Sequence, residues 1–127
     1  MDISQKIAVS LERGGQAVGG VSTVTDNGES NREVTLAPGS TNVQIDIALD
    51  VSQMKSAFLM CTAACTLKTN STSAPDATIT LAAGAPIPWV AAWGGTNPYG
   101  GTDVTKVYAT CADGGTLYLF HVVDATV

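Results

Sequence analysis

The feature that most constrains this chain is a short β-type unit that occurs twice between residues 50 and 119. Each copy has an Asp-Val-Ser or Asp-Val-Thr lead-in, an apolar run, a turn of small residues and a second apolar segment. The first copy comprises residues 50–52, 57–61 and 66–68, and the second comprises residues 103–105, 107–111 and 116–119. The copies align with a gap of about three residues. This pattern predicts an all-β sandwich built from paired hairpins.

Alternating apolar and polar residues predict further strands outside the repeat. These strands are expected at residues 2–12, 33–36, 42–51 and 77–81. Clusters of Gly, Pro, Asn and Ser separate them and predict turns. About eight short strands with this turn spacing are typical of a jelly-roll-like antiparallel β-sandwich. The length of 127 residues favours one such domain over residues 1–127.

The N-terminal segment, residues 1–13, is a candidate linking strand. Ile3, Ile7, Val9 and Leu11 share one face of the predicted strand and are candidate interface residues. They would add to the sheet of a neighbouring protein chain, and the alternative is pairing within the same sandwich. Residues 14–32 are rich in Gly and small polar residues, which predicts a loop or weak hairpin that orders on binding.

Composition narrows the classes of partner. Charged residues make up 13% of the chain and hydrophobic residues 45%, which is too apolar for disorder. Because so few residues are charged, either part of the surface faces another protein or Ser, Thr and Asn cover that part. The net charge of −5 argues against binding to a phosphate backbone, which needs a basic face. The N-terminus lacks an apolar signal core and no stretch is long enough for a membrane span, so we expect synthesis in the cytoplasm.

The sequence offers little for catalysis. Its one histidine, His121, lies in an apolar strand, where a hydrogen-bonded core or interface histidine is the favoured interpretation over a nucleophile–histidine relay. Asp50 and Asp103 precede strands and indicate turn chemistry, not a carboxylate pair. No phosphate loop is present, and residues 26–29 match only a fragment of a calcium loop. We therefore predict a protein that is not an enzyme and needs no cofactor or metal.

The three cysteines do not form a recognisable site pattern. Cys61 and Cys65 are close in sequence but lack a second pair or a nearby His, which argues against zinc. An odd number also argues against a secreted disulfide framework. We expect Cys61, Cys65 and Cys111 to be reduced and buried, with a disulfide linked to assembly as the alternative.

Three aromatic residues lie in a predicted long loop and form the remaining candidate interface. Trp89, Trp93 and Tyr99 stand among Pro and Gly residues. Such a group can cap the open end of a sandwich, anchor a protein interface or stack on sugar rings, and the sequence leaves these three alternatives open.

The C-terminal part of the chain, residues 77–123, resembles small structural proteins of tailed bacteriophages, in particular capsid decoration (cement) proteins. The segments that carry this resemblance are residues 79–86, Trp89, residues 97–98, 103–108 and 114–117. The resemblance implies a jelly-roll-like fold, a homotrimer on the virion surface and contacts with the major capsid protein. It implies no active-site residues. A phage tail or appendage protein and a carbohydrate-binding module are the alternative functions.

Overall fold

A computed structural model of the chain describes residues 3–13, 16–26 and 28–124, with side chains from Asn31 to Asp124. The strands are β1 (Ile3–Arg13), β2 (Gln16–Asp26), β3 (Gly28–Leu36), β4 (Ser40–Leu49), β5 (Met54–Cys61), β6 (Cys65–Thr69), β7 (Thr78–Leu81), β8 (Ile87–Val90), β9 (Val104–Cys111) and β10 (Gly115–Val123). Two 3-10 turns, Val51–Gln53 and Ala91–Trp93, are the only helical segments among the described residues.

Eight strands form a sandwich of two antiparallel four-stranded sheets, which confirms the predicted fold class. Sheet I has the order β3-β10-β5-β8, and sheet II has the order β4-β9-β6-β7. Strand β3 pairs with β10, β4 with β9, β5 with β8 and β6 with β7. The first strand of the sandwich thus pairs with the last, the second with the next to last, and so on inward. This nesting is the topology of a jelly roll.

Short links between the sheets gather at one end of the sandwich, which we call the arch end. They are residues 37–39, 62–64, 82–86 and 112–114. The opposite end, the loop end, carries residues 50–53, 70–77 and 91–103. Strands β5 and β6 lie in different sheets, as do β9 and β10, so the two predicted hairpins are in fact arches. The prediction of hairpins was wrong because alternation locates a turn without fixing which sheet receives the next strand.

The repeated unit corresponds to the four central strands of the sandwich. Strands β5 and β9 have almost the same burial pattern, and equivalent residues such as Cys61 and Cys111 lie 50 positions apart. Strand β5 pairs with β10 and β6 pairs with β9, so each strand of one arch is hydrogen-bonded to a strand of the other arch. The first copy contributes β5 to sheet I and β6 to sheet II, whereas the second contributes β9 to sheet II and β10 to sheet I. The apolar faces of both copies therefore meet in one core.

The core lies between the two sheets and draws most of its side chains from the central strands. Leu59, Leu67, Leu117 and Leu119 are completely buried there. Burial of a Leu or Val side chain contributes about 1.5–3 kcal/mol each, so these strands supply most of the hydrophobic stabilisation.

The N-terminal part of the chain folds differently from the prediction. Strands β1 and β2 pair with each other over their full lengths, from Ile3 opposite Asp26 to Arg13 opposite Gln16. They form a two-stranded sheet of their own that lies against β10 and β5. The interpretation of residues 14–32 as a loop or a weak hairpin is corrected here, because most of them belong to β2 and β3, which pair with β1 and β10 and lie in different sheets.

Strand β8 is the second difference from the prediction, which had placed residues 86–101 in one long loop. Ile87–Val90 pairs with β5 at the edge of sheet I, although it contains Pro88. An edge strand tolerates proline because one side of its backbone has no strand partner. The eight sandwich strands are therefore not the predicted eight, since β8 replaces the N-terminal strand.

Candidate functional site

The loop end of the sandwich holds six of the thirteen residues that the sequence singled out, and these include a buried tyrosine–histidine pair. Tyr99 is fully buried, and its hydroxyl forms a hydrogen bond of 2.7 Å with Nε2 of His121, which is also fully buried. The two rings are 5.4 Å apart at their centroids. Burial raises the pKa of the Tyr99 hydroxyl, which therefore remains protonated.

A local turn positions Tyr99 for this contact. The side-chain oxygen of Asn97 accepts a hydrogen bond of 2.9 Å from the Tyr99 backbone N–H, and Asn97 Nδ2 contacts Sδ of Met54 at 3.6 Å. An Asn side chain that bonds the backbone two residues on is a typical turn motif. The prediction of a hydrogen-bonded core histidine is confirmed, and the three cysteines lie at the arch end, too far away to act with His121.

The two tryptophans occupy different environments. Trp89 lies on β8, packs against the core and donates a hydrogen bond of 3.0 Å from Nε1 to the carbonyl oxygen of Gly95. Trp93 follows in the second 3-10 turn and is 46% exposed, the one exposed large apolar side chain among residues 31–124. The predicted trio therefore divides: Tyr99 belongs to the core, Trp89 anchors the loop, and Trp93 alone faces outward.

These positions bear on the three alternatives for the aromatic residues, which are a cap on the sandwich, a protein interface and sugar stacking. Tyr99 lies where a cap on the sandwich would lie, and its complete burial removes it from the candidate interface. Trp93 is the one exposed ring of the three and so the one available to stack on a sugar or to anchor a partner.

The two Asp-Val-Ser/Thr lead-ins also meet at the loop end. Asp50 Oδ1 accepts a hydrogen bond of 3.0 Å from the Ser52 backbone N–H, and so caps the first 3-10 turn. Asp103 Oδ1 accepts one of 3.1 Å from the backbone N–H of Val51. The predicted turn chemistry is confirmed, because both carboxylates satisfy backbone donors.

Asn70 connects this region to the neighbouring loop, and the sequence analysis did not single it out. Its side-chain nitrogen donates to Asp76 Oδ2 at 2.7 Å and to the Asp103 carbonyl oxygen at 2.8 Å, while its side-chain oxygen accepts from the Thr105 backbone N–H at 2.9 Å. Asn70 has a φ of 67°, a conformation that Asn tolerates better than most residues. The sequence signal that could have identified Asn70 is its position directly after a strand.

The three cysteines are free and buried, as predicted, and they lie together at the arch end. Cys61, Cys65 and Cys111 belong to the same core cluster of buried side chains. Desolvation, followed by the neighbouring Cys61 and Cys111, raises the pKa of Cys65 to about 12. The pKa of Cys111 is raised as well, again chiefly by desolvation.

These pKa shifts predict that the protein loses stability in alkali. Above the ordinary thiol pKa of 9.0, the unfolded chain releases a proton from Cys65 that the folded chain retains until about pH 12. In this window one such group weakens the folding equilibrium about tenfold per pH unit. Urea unfolding between about pH 8 and about pH 11 measures this slope. The control Cys65→Ala should show a shallower dependence by about one proton, and equal slopes would contradict the assignment.

The outer face of sheet I carries a further apolar group. Phe58 and Met60 on β5, with Tyr118 and Phe120 on β10, are half-buried there, and the last two rings meet edge to face at 5.8 Å. Towards the loop end the same face is fully covered at Ser56 and Val122. The sequence predicted apolar residues on both faces of these strands, and the β1–β2 hairpin lies against the same two strands.

The candidate interface residues Ile3, Ile7, Val9 and Leu11 lie on β1, and their side chains are outside the described part of the structure. Their backbone pairs with that of β2, for example Val9 with Gly20.

Comparison with known proteins finds no matching family model, no matching curated protein and no matching solved structure. Among the described residues, no group of three or more His, Cys, Asp or Glu side chains is arranged to hold a metal ion. The same part of the chain contains no helix with the length and hydropathy needed to cross a bilayer.

Proposed function

We propose that this chain is a non-enzymatic structural protein of a bacteriophage particle. In this proposal it binds the outer surface of the head as a homotrimer and stabilises the lattice of the major capsid protein. The observation that carries the proposal is the β1–β2 hairpin, whose two 11-residue strands form a separate sheet beside the jelly roll. The resemblance of residues 77–123 to capsid decoration proteins supports the same role.

The edges of the sandwich are protected against the addition of another strand. Strands β7 and β8 have four residues each, and β8 contains Pro88. On the opposite side, the ladder of β4 with β9 shifts register twice, between Ser40 and Val43 and between Asp46 and Leu49. Short strands, prolines and irregular ladders are the usual means by which proteins blunt an exposed edge.

Strand β3, the remaining edge, is closed by an arginine. Arg32 donates from Nη1 to the Asn31 carbonyl oxygen at 2.9 Å and from Nε to the Asp46 carbonyl oxygen on β4 at 3.3 Å. The guanidinium thus bridges the two sheets along this side and occupies carbonyl groups that a further strand would need. A charged side chain at such a position discourages edge-to-edge pairing.

The hairpin lacks the short strands and the proline that protect the edges of the sandwich, although β1 carries Lys6, Glu12 and Arg13. Neither β1 nor β2 contains proline, and each has one strand neighbour among the described residues, which leaves an 11-residue backbone edge on either side. An isolated two-stranded sheet is marginally stable in water, so a partner sheet would stabilise it. Strand addition to a capsid protein or to a second copy provides backbone hydrogen bonds with little demand on sequence.

Attachment of this kind explains how a small protein would stabilise a large shell. A standard-size contact buries about 1,600 Å² in total. Three arms around a threefold axis bind together with much higher avidity than one arm. Because such a trimer binds the intact lattice and not the broken one, its binding free energy adds to the stability of the particle.

The hairpin offers a direct test. Val9→Pro removes one backbone donor at the middle of β1 and disrupts its pairing as a strand, whereas Val9→Thr preserves a β-branched residue. Both proteins are mixed with heads of the phage that encodes the chain, assembled without it, and the bound copies are counted after sedimentation. We expect Val9→Pro to bind at least about tenfold more weakly, which corresponds to about 1.4 kcal/mol, and Val9→Thr to bind like the wild type.

Two further measurements separate the alternatives. Light scattering of the wild type should give three times the chain mass of 12.9 kDa. Copy number distinguishes a head protein, present in hundreds of copies per particle, from a tail or appendage protein, present in a few dozen at most. Full binding by Val9→Pro would reject the hairpin as the arm, and unchanged heat resistance of particles that lack the protein would reject the stabilising role.

A further inference from the structure

Two rows of large apolar side chains lie on the outer face of sheet I, from its middle towards the arch end. Within each row the residues stand opposite one another on neighbouring strands. The apolar rows are Tyr118 with Met60, and Phe120 with Phe58 and Pro88. All of these side chains are half-buried, whereas Ser56 and Val122, in the next row towards the loop end, are fully buried. The face is therefore covered at its loop end and partly open at the apolar rows.

The β1–β2 hairpin has an apolar face of its own. Opposite residues in an antiparallel pair share a face, and Leu11 is opposite Val18. Alternation along each strand then puts six apolar positions on this face. They are Ile3, Ile7, Val9, Leu11, Val18 and Val24. The other face includes the positions of Lys6 and Glu12 and of four Ser or Thr residues. A two-stranded sheet with this pattern is stable only when its apolar face packs on another layer.

The connection to the sandwich limits where the hairpin can pack. Strand β2 ends at Asp26 and β3 begins at Gly28, which lies opposite Val123 at the loop end. One residue spans at most about 3.6 Å, whereas packed sheets lie about 10 Å apart. A reversal of the chain between two strands normally takes at least about two residues. The hairpin of the same chain is thus close to the loop end of its own sheet but poorly placed to fold back over the apolar rows.

The hairpin lies against β10 and β5, and the apolar rows nevertheless remain half-buried. We propose that copies of this chain exchange their β1–β2 hairpins, so that the hairpin of one copy packs its apolar face on the apolar rows of the next copy. Exchange needs no reversal between Asp26 and Gly28, because β2 can continue into β3 in one direction. Exchange of an identical element is a low-cost route to an oligomer. Each copy gives one hairpin and receives one, which is a head-to-tail contact that closes into a ring.

This inference rests on the proposed function for the number of copies in the ring, which is three. It uses a different surface of the hairpin. Packing on the next copy employs the apolar face, whereas strand addition to a capsid protein employs the backbone edges. One hairpin can therefore hold two copies together and still bind the head.

The size and the charge of these surfaces fit a second copy. Strands of 11 residues are about 37 Å long, and the nine residues of β10 are about 31 Å long, so the hairpin can cover the full length of the face. Residues 77–102, which include β8 beside the apolar rows, contain no charged residue. Because each copy has a net charge of −5, two copies approach one another most easily at an uncharged part of the surface.

Photocross-linking of the full-length chain tests the exchange. Phe120 is replaced by p-benzoylphenylalanine, and equal amounts of unlabelled and ¹⁵N-labelled chain are unfolded in urea and refolded together. After irradiation, the cross-linked peptides are identified by mass spectrometry. We expect cross-links from position 120 to residues 3–26, with about half of the pairs containing one light and one heavy peptide. Cross-links within one chain are never mixed in this way.

An insertion provides a second measurement with a matched control. The segment Gly-Ser-Gly-Ser, inserted between Asn27 and Gly28, gives the hairpin enough chain to fold back on its own sheet. We expect the mass measured by light scattering to fall about threefold, to that of one chain, at the same protein concentration. The same segment inserted between Gly14 and Gly15 lengthens the link between β1 and β2 instead, and should leave the mass unchanged.

Several results would overturn the exchange. They are cross-links to the hairpin only within single chains, no cross-link to the hairpin, a wild type with the mass of one chain, or an unchanged mass after the insertion between Asn27 and Gly28. The tests use no phage heads, so they fail independently of the proposed function. Mixed pairs in a protein that does not bind heads would reject the proposed function alone, and single-chain pairs in a protein that binds heads would reject the exchange alone.

Discussion

Replacing Tyr99 by Ala should lower the free energy of unfolding by about 3–5 kcal/mol, the range found when a large buried aromatic side chain is truncated. The ring is completely buried, and its hydroxyl is bonded to His121 inside the core. Its removal leaves a cavity and takes away that hydrogen-bond partner of the histidine. Urea denaturation monitored by circular dichroism measures the loss, and a fall of roughly 10–20 °C in melting temperature should accompany it.

Two further variants separate packing from hydrogen bonding. Tyr99→Phe keeps the ring and should cost about 1–3 kcal/mol, the range for a buried polar group deprived of a partner. Trp93→Ala changes another large aromatic residue in the same part of the chain, but that residue is 46% exposed, so we expect about 0.5 kcal/mol or less. Equal losses for Tyr99→Ala and Trp93→Ala would contradict the placement of Tyr99 in the core.

Replacing Gly114 by Ala should also be severe, with a loss of about 2–5 kcal/mol from backbone strain and overpacking together. Gly114 has a φ of +75°, and an added Cβ would lie 2.7 Å from the backbone nitrogen of Pro38 and 2.9 Å from the carbonyl oxygen of Leu36. These are backbone atoms of the neighbouring arch, which is itself held to this one by a hydrogen bond of 2.8 Å from Gly39 N–H to the Ala112 carbonyl oxygen. Neither arch can move without disturbing the other.

Gly84 provides the matched control. It has a similar φ of +68°, but an added Cβ would meet nothing within 4 Å. Gly84→Ala should therefore show the cost of the left-handed conformation alone, about 1–2 kcal/mol. The difference between the two variants, measured by urea unfolding, isolates the contact between the arches. If Gly84→Ala is as destabilising as Gly114→Ala, close packing at Gly114 contributes nothing.

The sequence predicted the fold class because alternation and turn residues are local signals. The repeated unit was the most informative of them, since its two copies form the four central strands. The pairing of the strands was harder to predict from the sequence. An arch and a hairpin have similar short turns, and the choice between them depends on the sheet that receives the next strand. Strand β8 was missed because Pro88 argues against a strand until its place at the edge of the sheet is known.

The same limit applied to the candidate site. Burial of His121 followed from its apolar strand, but its partner Tyr99 lies 22 positions earlier in a Gly-rich loop that gives no sign of turning inward. The grouping of the cysteines was likewise hidden, because Cys111 is far from Cys61 and Cys65 in sequence and joins the same core cluster only through the pairing of the central strands. Local patterns predicted the burial of His121 and of the cysteines but not that of Tyr99, and only the topology brings these residues together.

The nested pairing of the strands has a consequence for how the chain folds. Strand β10, the last of these ten strands in chain order, lies between β3 and β5 in sheet I, so this sheet cannot close until the chain has been synthesised as far as Val123. Until then the apolar faces of β3 and β5 lack their central neighbour and are exposed to other nascent chains. Contacts between distant parts of a chain also slow folding, so we expect slow folding with aggregation as its main competitor.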